Sequence, residues 1–165
     1  MILIAYDGSA DARAAIEQGA RLAHGDSARV LTVWTPFVDM LARSGAGLGL
    51  VPGTIDYEQI DRAAEESARK RADEGVSLAR RLGLDATPCT VAQRTTTSEA
   101  ILDQAAELDA QAILIGSRGR AGLKSLLLGS VSHGVVQHAD RPVIVVPSPD
   151  VARERAERRR HRGVR

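Results

Sequence analysis

The sequence predicts an α/β layered fold built on a parallel sheet. Five apolar runs of strand length alternate along the chain with segments whose apolar residues recur at helical spacing. Three runs are continuous, which is typical of strands that helices cover on both faces: MILIAY, AILIG and VIVVP. Apolar residues make up 44% of the chain, and because aromatic residues make up only 2%, the core is expected to be aliphatic.

The first half of the chain is predicted to hold two strands and two main helices. The strands cover 1–6 and 28–34, and Ser9 can cap the helix DARAAIEQGARLA between them. The longest helical pattern covers 56–82, with a narrow apolar stripe and Gly83 to end it. Segment 36–55 is irregular and Gly-rich, with room for a short helix around Val38 to Arg43. A loop of this length is often a lid or a disordered insertion.

The second half is predicted to hold three strands and two helices. The third strand, 85–92, precedes Thr96 and Glu99, which have the spacing of a capping box for SEAILDQAAELDA. The fourth strand covers 112–116, the next helix begins at Ser130, and the fifth strand covers 143–147. We expect one domain over 1–148 and a flexible or helical Arg-rich extension over 149–165.

Charge is distributed unevenly. Residues 151–165 contain seven Arg and two Glu, a net charge of +5, and since the whole chain carries +1, the remainder carries −4. Such a tail can contact nucleic acid or an anionic membrane. A solvated extension is the preferred interpretation, because the tail lacks aromatic residues for base stacking, and nucleic acid is not expected as a partner. The sequence shows no signal peptide or membrane span, so a soluble cytoplasmic protein is expected.

Three residues with reactive side chains are given structural interpretations. Cys89 is the single cysteine, so no disulfide forms within the chain, and its place in a strand favours a small core residue over a nucleophile. His133 and His138 are five positions apart on one helix, which is a poor spacing for a shared metal ion, so they are interpreted as structural or solvent-facing. No catalytic residue and no metal-ligating residue is predicted.

Ligand chemistry is concentrated in two loops that follow predicted strands. Asp7 comes directly after the first strand, where its carboxylate can accept from a ribose hydroxyl or hold a phosphate-bound metal; simple helix capping is the alternative. The second loop, GSRGRAGLKSLLLGS, follows the fourth strand. Because ligands of open parallel sheets bind beyond the carboxyl ends of the strands, these two loops are expected to form one pocket.

The second loop has the composition of an anion site. Gly116 and Gly119 allow close approach of the backbone to a ligand. Gly129 and Ser130 stand where the next helix begins, and free N–H groups at a helix start favour an anion. Additional positive charge is available from Arg118, Arg120 and Lys124. The loop contains neither GxxxxGK[ST] nor the GxGxxG of dinucleotide-binding folds, so a nucleotide would be held without a P-loop lysine.

These residues together resemble the universal stress protein family. The spacing Gly116-x2-Gly119-x9-Gly129-Ser130 is similar to the family's nucleotide signature, G-x2-G-x9-G-[ST]. The blocks ILIAYDGSADARAAIEQGARLA, ELDAQAILIGSRGR and ADRPVIVVP resemble the family as well, so the resemblance covers 1–147. Where many members have a Gly-x-Pro-like turn before the third helix, this chain has RTTTSEA.

The resemblance implies a fold and an assembly. The fold is an open five-stranded parallel sheet with strand order 3-2-1-4-5 and helices on both faces, Rossmann-like and of the adenine nucleotide alpha hydrolase-like type. Pro88 agrees with this order, because proline belongs on an edge strand and the third strand is an edge. The resemblance also implies a homodimer through the fifth strand, Val143 to Val146, which would cover an apolar edge.

The resemblance further implies ATP at the ends of the first and fourth strands. Asp7 would lie near the ribose and phosphates, the backbone of Val33 near adenine, and Gly129 and Ser130 on the phosphates. Mg²⁺ or Mn²⁺ would bridge the phosphates, held by them and by water. The expected ATP-binding residues are Asp7, Gly8, Ser9, Val33, Gly116, Arg118, Gly119, Gly129, Ser130 and Val131.

The function expected from this resemblance is that of an ATP-binding regulator of the stress response. ATP would order residues 36–55 and 117–128 and so change a dimer surface or the surface for an unidentified protein partner. Hydrolysis would be weak at most, because no base is positioned to activate water. Two alternatives stay open: a slow ATPase whose turnover is its purpose, and a partner-binding module that uses no nucleotide.

Overall fold

The computed structural model describes residues 1–22, 27–44, 56–119 and 128–162. Strands and helices alternate through these ranges as the sequence predicts. The expected glycine-rich part of the 36–55 loop, the cations Arg120 and Lys124, and most of the 117–128 segment lie outside them. The elements in chain order are β1 (Ile2–Ala5), α1 (Ala10–Leu22), β2 (Ser27–Trp34), α2 (Phe37–Ser44), α3 (Tyr57–Arg81), β3 (Asp85–Ala92), α4 (Thr97–Glu107), β4 (Ala112–Gly116), α5 (Ser130–His138), β5 (Val143–Val146) and α6 (Pro149–Arg162).

The five strands form one parallel sheet in the order β3-β2-β1-β4-β5, which confirms the predicted fold class. Ile2 is in register with Ala28 of β2 and with Ala112 of β4, so β1 is the central strand. Pro88 lies on the edge strand β3 as expected. At the opposite edge, β5 pairs with β4 alone among the described strands.

The sheet is covered on both faces, which explains why its central strands are apolar throughout. Side chains of successive strand residues point to opposite faces. Ile2 and Ile4 accordingly pack with α1 and α3, in a cluster that includes Ile16 and Val76. The other face holds a second cluster, formed with α4 and α5: Leu3, Ala5, Leu31, Ile101, Ala105, Ile113, Ile115 and Val135. Cys89 packs at its margin, and burial raises the pKa of its thiol, in keeping with a core role.

Local signals fix the helix ends. Ser9 Oγ accepts from Ala12 N at 3.2 Å, and Thr96 Oγ1 accepts from Glu99 N at 3.1 Å, so both predicted caps are confirmed. Asp56 caps α3 by accepting from Gln59 N at 3.0 Å, which the sequence analysis did not predict. Gly83 follows α3 with φ of 91°, a left-handed conformation that glycine adopts without strain.

The irregular segment 36–55 and the extension 149–165 each contain a helix within the described residues. The short helix expected around Val38 to Arg43 is α2, whose Phe37 N donates to Asp61 Oδ1 of α3 at 2.7 Å. The extension beyond residue 148 forms α6, and Val151 in its first turn is only 7% exposed. No helix in the described ranges combines the length and the apolar character needed to cross a membrane.

Candidate functional site

A pocket of about 470 Å³ opens at the carboxyl ends of β1, β2 and β4. In the observed strand order the chain winds outward from β1 in one direction to β3 and in the other to β5. The gap between the β1 and β4 ends is therefore the switch point at which parallel α/β sheets bind ligands. The sheet provides the floor, and the loops after β1 and β4 provide the walls.

The structure gathers most of the predicted site residues around this pocket. Eight of the ten line it, namely Asp7, Val33, Gly116, Arg118, Gly119, Gly129, Ser130 and Val131. Gly8 and Ser9 are outside the described lining and instead shape the turn that holds Asp7. Ser9 N donates to Asp7 Oδ1 at 2.9 Å, and Gly8 has φ of 82°. His133 and His138 are exposed, as expected.

The first two signature glycines are required for different reasons. A Cβ at Gly116 would lie 2.7 Å from the carbonyl carbon of Asp11 and 2.8 Å from Ala12 N, so β4 packs directly against the α1 backbone. A Cβ at Gly119 would instead lie 2.8 Å from Asp7 Oδ2, across the mouth of the pocket. The first glycine permits helix packing, and the second brings the two loops together.

Asp11 joins these loops beneath the pocket, and the sequence analysis missed it. Its carboxylate is 5% exposed and accepts from Ser117 Oγ at 2.7 Å and from Arg118 N at 3.0 Å. Its position in the first turn of α1 is ordinary for an acidic residue, because helix starts favour negative charge. The partners lie more than 100 positions away along the chain, so no local pattern could reveal them.

Asp11→Ala is expected to lower the free energy of unfolding by about 2–4 kcal/mol, because the buried Ser117 hydroxyl and Arg118 N–H would each lose their acceptor. Urea unfolding of the wild type and the variant measures the change. Asp103→Ala, an exposed substitution on α4, is the matched control and should change stability by less than about 0.5 kcal/mol. Equal effects of the two substitutions would contradict a structural role for the buried carboxylate.

The start of α5 brings backbone donors to the pocket. The first hydrogen bond within this helix runs from His133 N to Gly129 O at 2.9 Å. The N–H groups of Ser130, Val131 and Ser132 precede it and have no acceptor within the helix. These three residues line the pocket, so the positive end of the α5 dipole lies beside it.

Ser117 closes the base of the second loop. Its carbonyl oxygen accepts from Gly129 N at 2.9 Å and from Ser132 Oγ at 3.0 Å. The end of β4 and the beginning of α5 are therefore joined directly by hydrogen bonds. This places Gly119 and Gly129 at the same pocket although nine residues separate them.

Two arginines bring positive charge to the pocket. Arg118 was expected; its side chain is 13% exposed, and its Nη2 lies 3.6 Å from Glu154 Oε2 of α6. Arg71 of α3 was not expected, because nothing in the charged pattern of 56–82 distinguishes it from its neighbours. Its aliphatic stem lies beside the first loop, where a Cβ at Gly8 would be 3.6 Å from Arg71 Cδ.

The rest of the lining is mostly apolar. Leu31, Val33, Ile101, Ile115 and Val131 contribute aliphatic surface from both the sheet and the helices. Such a lining, an apolar surface with a few polar groups, is typical of small-molecule pockets.

Polar groups edge this apolar wall. Thr97, in the RTTTSEA segment, also lines the pocket, and its hydroxyl donates to Gln93 Oε1 at 2.8 Å. Tyr6 closes the α3 side, with its hydroxyl donating to Glu74 Oε1 at 2.9 Å. Burial raises the pKa of the Tyr6 phenol above its ordinary value, so the phenol is neutral at physiological pH.

Protein side chains alone do not assemble a metal centre in the described part of the chain. No group of three or more His, Cys, Asp or Glu is clustered there. Asp7 is the one carboxylate among the described lining residues. A cation at this pocket would need most of its ligands from the bound molecule or from water.

The sheet order and the position of the pocket identify a doubly wound α/β protein with a pocket at its switch point. The chain belongs to the universal stress protein family, because the family profile described as "Universal stress protein family" matches residues 1–147.

One sequence relative supports this assignment, and two solved structures share the fold. A protein of Thermus aquaticus described as a universal stress protein is 33% identical over 147 residues, which cover 88% of this chain and 96% of the relative. The structure of the Archaeoglobus fulgidus universal stress protein in complex with dAMP has a TM-score of 0.58 and 24% identity, covering 88% of this chain and 95% of that one. An Arabidopsis thaliana family protein with AMP bound has a TM-score of 0.59 and 14% identity, covering 92% and 97%.

Proposed function

We propose that this protein binds ATP in the pocket at the ends of β1 and β4 and acts as a nucleotide-dependent regulator in the stress response. The observation that carries the proposal is that one pocket offers groups for both halves of a nucleotide. Backbone donors at the start of α5, two arginines and an aliphatic surface all line it.

Part of this lining suits a phosphate chain. The three N–H groups at the start of α5, the Ser130 hydroxyl and the guanidinium of Arg118 belong to residues that line the pocket. Anions bind at helix starts because the free N–H groups and the helix dipole act together. A Cβ at Gly119 would lie 2.8 Å from Asp7 Oδ2, so a side chain there would have to displace the Asp7 carboxylate, whereas glycine leaves the backbone open to a ligand.

The aliphatic lining suits an adenine ring, and the Asp7 carboxylate suits a ribose hydroxyl. Proteins of this fold described with dAMP and with AMP support an adenine nucleotide as the ligand class. Mg²⁺ or Mn²⁺ would accompany ATP, with the phosphates and water as its main ligands. This fits a pocket whose described lining offers a single carboxylate, since these ions take oxygen ligands.

As a regulator, we propose, the protein is a homodimer in the cytoplasm. The dimer would form through β5, where Val143 to Val146 end the sheet with one strand edge unpaired among the described strands. Pairing with a second copy would satisfy that edge. ATP occupancy would then change the surface that the dimer offers to a protein partner.

Calorimetric titration with ATP, AMP and cyclic AMP is the direct test, together with mass spectrometry of small molecules released from the purified protein. We expect an adenine nucleotide to be released and ATP to bind more tightly than AMP, because additional phosphates engage additional donors. The binding proposal fails if no adenine nucleotide is released and ATP causes no thermal shift.

Arg71→Gln is expected to weaken ATP binding by about tenfold, because a hydrogen bond to a charged group is lost from the pocket. Calorimetry measures the change. Arg69→Gln removes the same charge from an exposed position of α3 and is the matched control, with an expected change below about twofold. Similar affinities for the two variants would show that Arg71 makes no contact with the nucleotide.

A further inference from the structure

The C-terminal helix α6 lies beyond the family match and yet packs against the domain. The match ends at residue 147, and α6 begins at Pro149. Val151 in its first turn is 7% exposed, and Ser148 just before it is 5% exposed. Ala152 N donates to Ser148 O at 2.9 Å, so the helix starts at this buried position. The extension is therefore docked at its beginning.

Docking through Val151 directs Glu154 towards the pocket. Residues three positions apart lie on the same face of a helix. Glu154 Oε2 lies 3.6 Å from Nη2 of Arg118, which lines the pocket. Glu154 Oε1 accepts from Arg158 Nη2 at 2.7 Å, so this carboxylate lies between an arginine of the pocket and one of its own helix.

The charge that α6 brings to the pocket is opposite to the charge of the helix as a whole. Residues 149–162 carry six arginines and three acidic residues, yet the side chain that α6 brings to Arg118 is a carboxylate. The Glu154 carboxylate would compete with an anion bound beside Arg118 for the guanidinium, and it would also repel that anion. Since Arg118 N is held by Asp11 Oδ2 at 3.0 Å, the residue cannot move away as a whole to separate them.

We propose that α6 is a latch on the pocket, in which Glu154 pairs with Arg118 when no anion is bound and is displaced when the phosphates of a nucleotide take its place. This inference rests on the proposed function for its ligand. Displacement would undock the first turns of α6 and so report pocket occupancy to the Arg-rich helix. The coupling between the two equilibria is reciprocal. If docking of α6 weakens nucleotide binding by a given free energy, nucleotide binding weakens docking of α6 by the same free energy.

Two measurements on the full-length chain test the latch. Calorimetry compares ATP affinity in the wild type, in Glu154→Gln and in Asp150→Asn. The last removes one negative charge from the same helix at an exposed pair with Arg153 and is the matched control. We expect Glu154→Gln to bind ATP about threefold to tenfold more tightly and Asp150→Asn to change by less than about twofold. Hydrogen exchange of α6 amides should become faster when ATP is added to the wild type.

Two further variants separate the latch from a general effect of charge. In an Arg118→Gln background, adding Glu154→Gln should no longer tighten ATP binding, since the pair is already broken. Val151→Ser, which weakens docking without altering charge, should also tighten ATP binding. A gain that persists without Arg118 would overturn the pairing.

The outcomes distinguish the latch from the proposed function. If the wild type binds ATP but Glu154→Gln binds no more tightly than Asp150→Asn, or α6 exchange is unchanged by ATP, the latch alone is wrong. If neither the wild type nor any variant binds ATP, the proposed function fails and the latch fails with it. Tight binding that appears only in Glu154→Gln or Val151→Ser would support both.

Discussion

Gly119→Val is expected to weaken ATP binding by more than about 100-fold while leaving the fold intact. A Cβ at this position would lie 2.8 Å from Asp7 Oδ2, and the branches of valine would fill the space where the two loops approach. The loss corresponds to about 3 kcal/mol of binding free energy. Because residue 119 is exposed, the free energy of unfolding should change by less than about 1 kcal/mol.

Calorimetry with ATP and urea unfolding measure the two quantities separately. Ala106→Val, which adds valine at an exposed position of α4, controls for the surface effect of the new side chain and should leave both unchanged. ATP affinity retained in Gly119→Val would show that the nucleotide does not pass between Asp7 and the second loop, and it would remove the main assignment of this site.

Gly116→Ala is expected to act on stability and to lower the free energy of unfolding by about 1–3 kcal/mol. The new Cβ would lie within 2.8 Å of backbone atoms of Asp11 and Ala12. Backbone cannot rotate away as a side chain can, so α1 must shift relative to β4. ATP binding should weaken as a consequence, because Asp11 in that first turn holds Ser117 and Arg118.

Gly129→Ala is the matched control for this stability effect. Its Cβ would be no closer than 3.5 Å to its neighbours, which is ordinary contact, and Gly129 has φ of −63°, which alanine adopts without strain. The free energy of unfolding of the Gly129→Ala variant should differ from that of the wild type by less than about 1 kcal/mol. If Gly116→Ala proved equally mild in urea unfolding, close packing of β4 on α1 would not be the reason for the first signature glycine.

The fold could be predicted because its signals are local. Continuous apolar runs identify central strands, and caps such as Ser9 and Thr96 are recognisable from a few residues. The strand order came from the resemblance, and Pro88 agreed with it as an edge residue. The two loops of the pocket could also be predicted, because the ends of parallel strands meet at one side of a sheet.

The missed residues depend on contacts that local spacing does not encode. Asp11 looks like an ordinary first-turn acid until β4 packs against it. Arg71 is one of many charges on α3, and which of them faces the pocket depends on how that long helix rotates against the sheet. Glu154 belongs to a segment that composition alone describes as a basic tail. Predicting these three requires the packing itself.

The double hydrogen bond at Ser117 O has a consequence for motion at the pocket. Because Gly129 N and Ser132 Oγ both donate to this one carbonyl, the end of β4 and the start of α5 are held together. A ligand that shifts one of these two elements is therefore expected to shift the other with it.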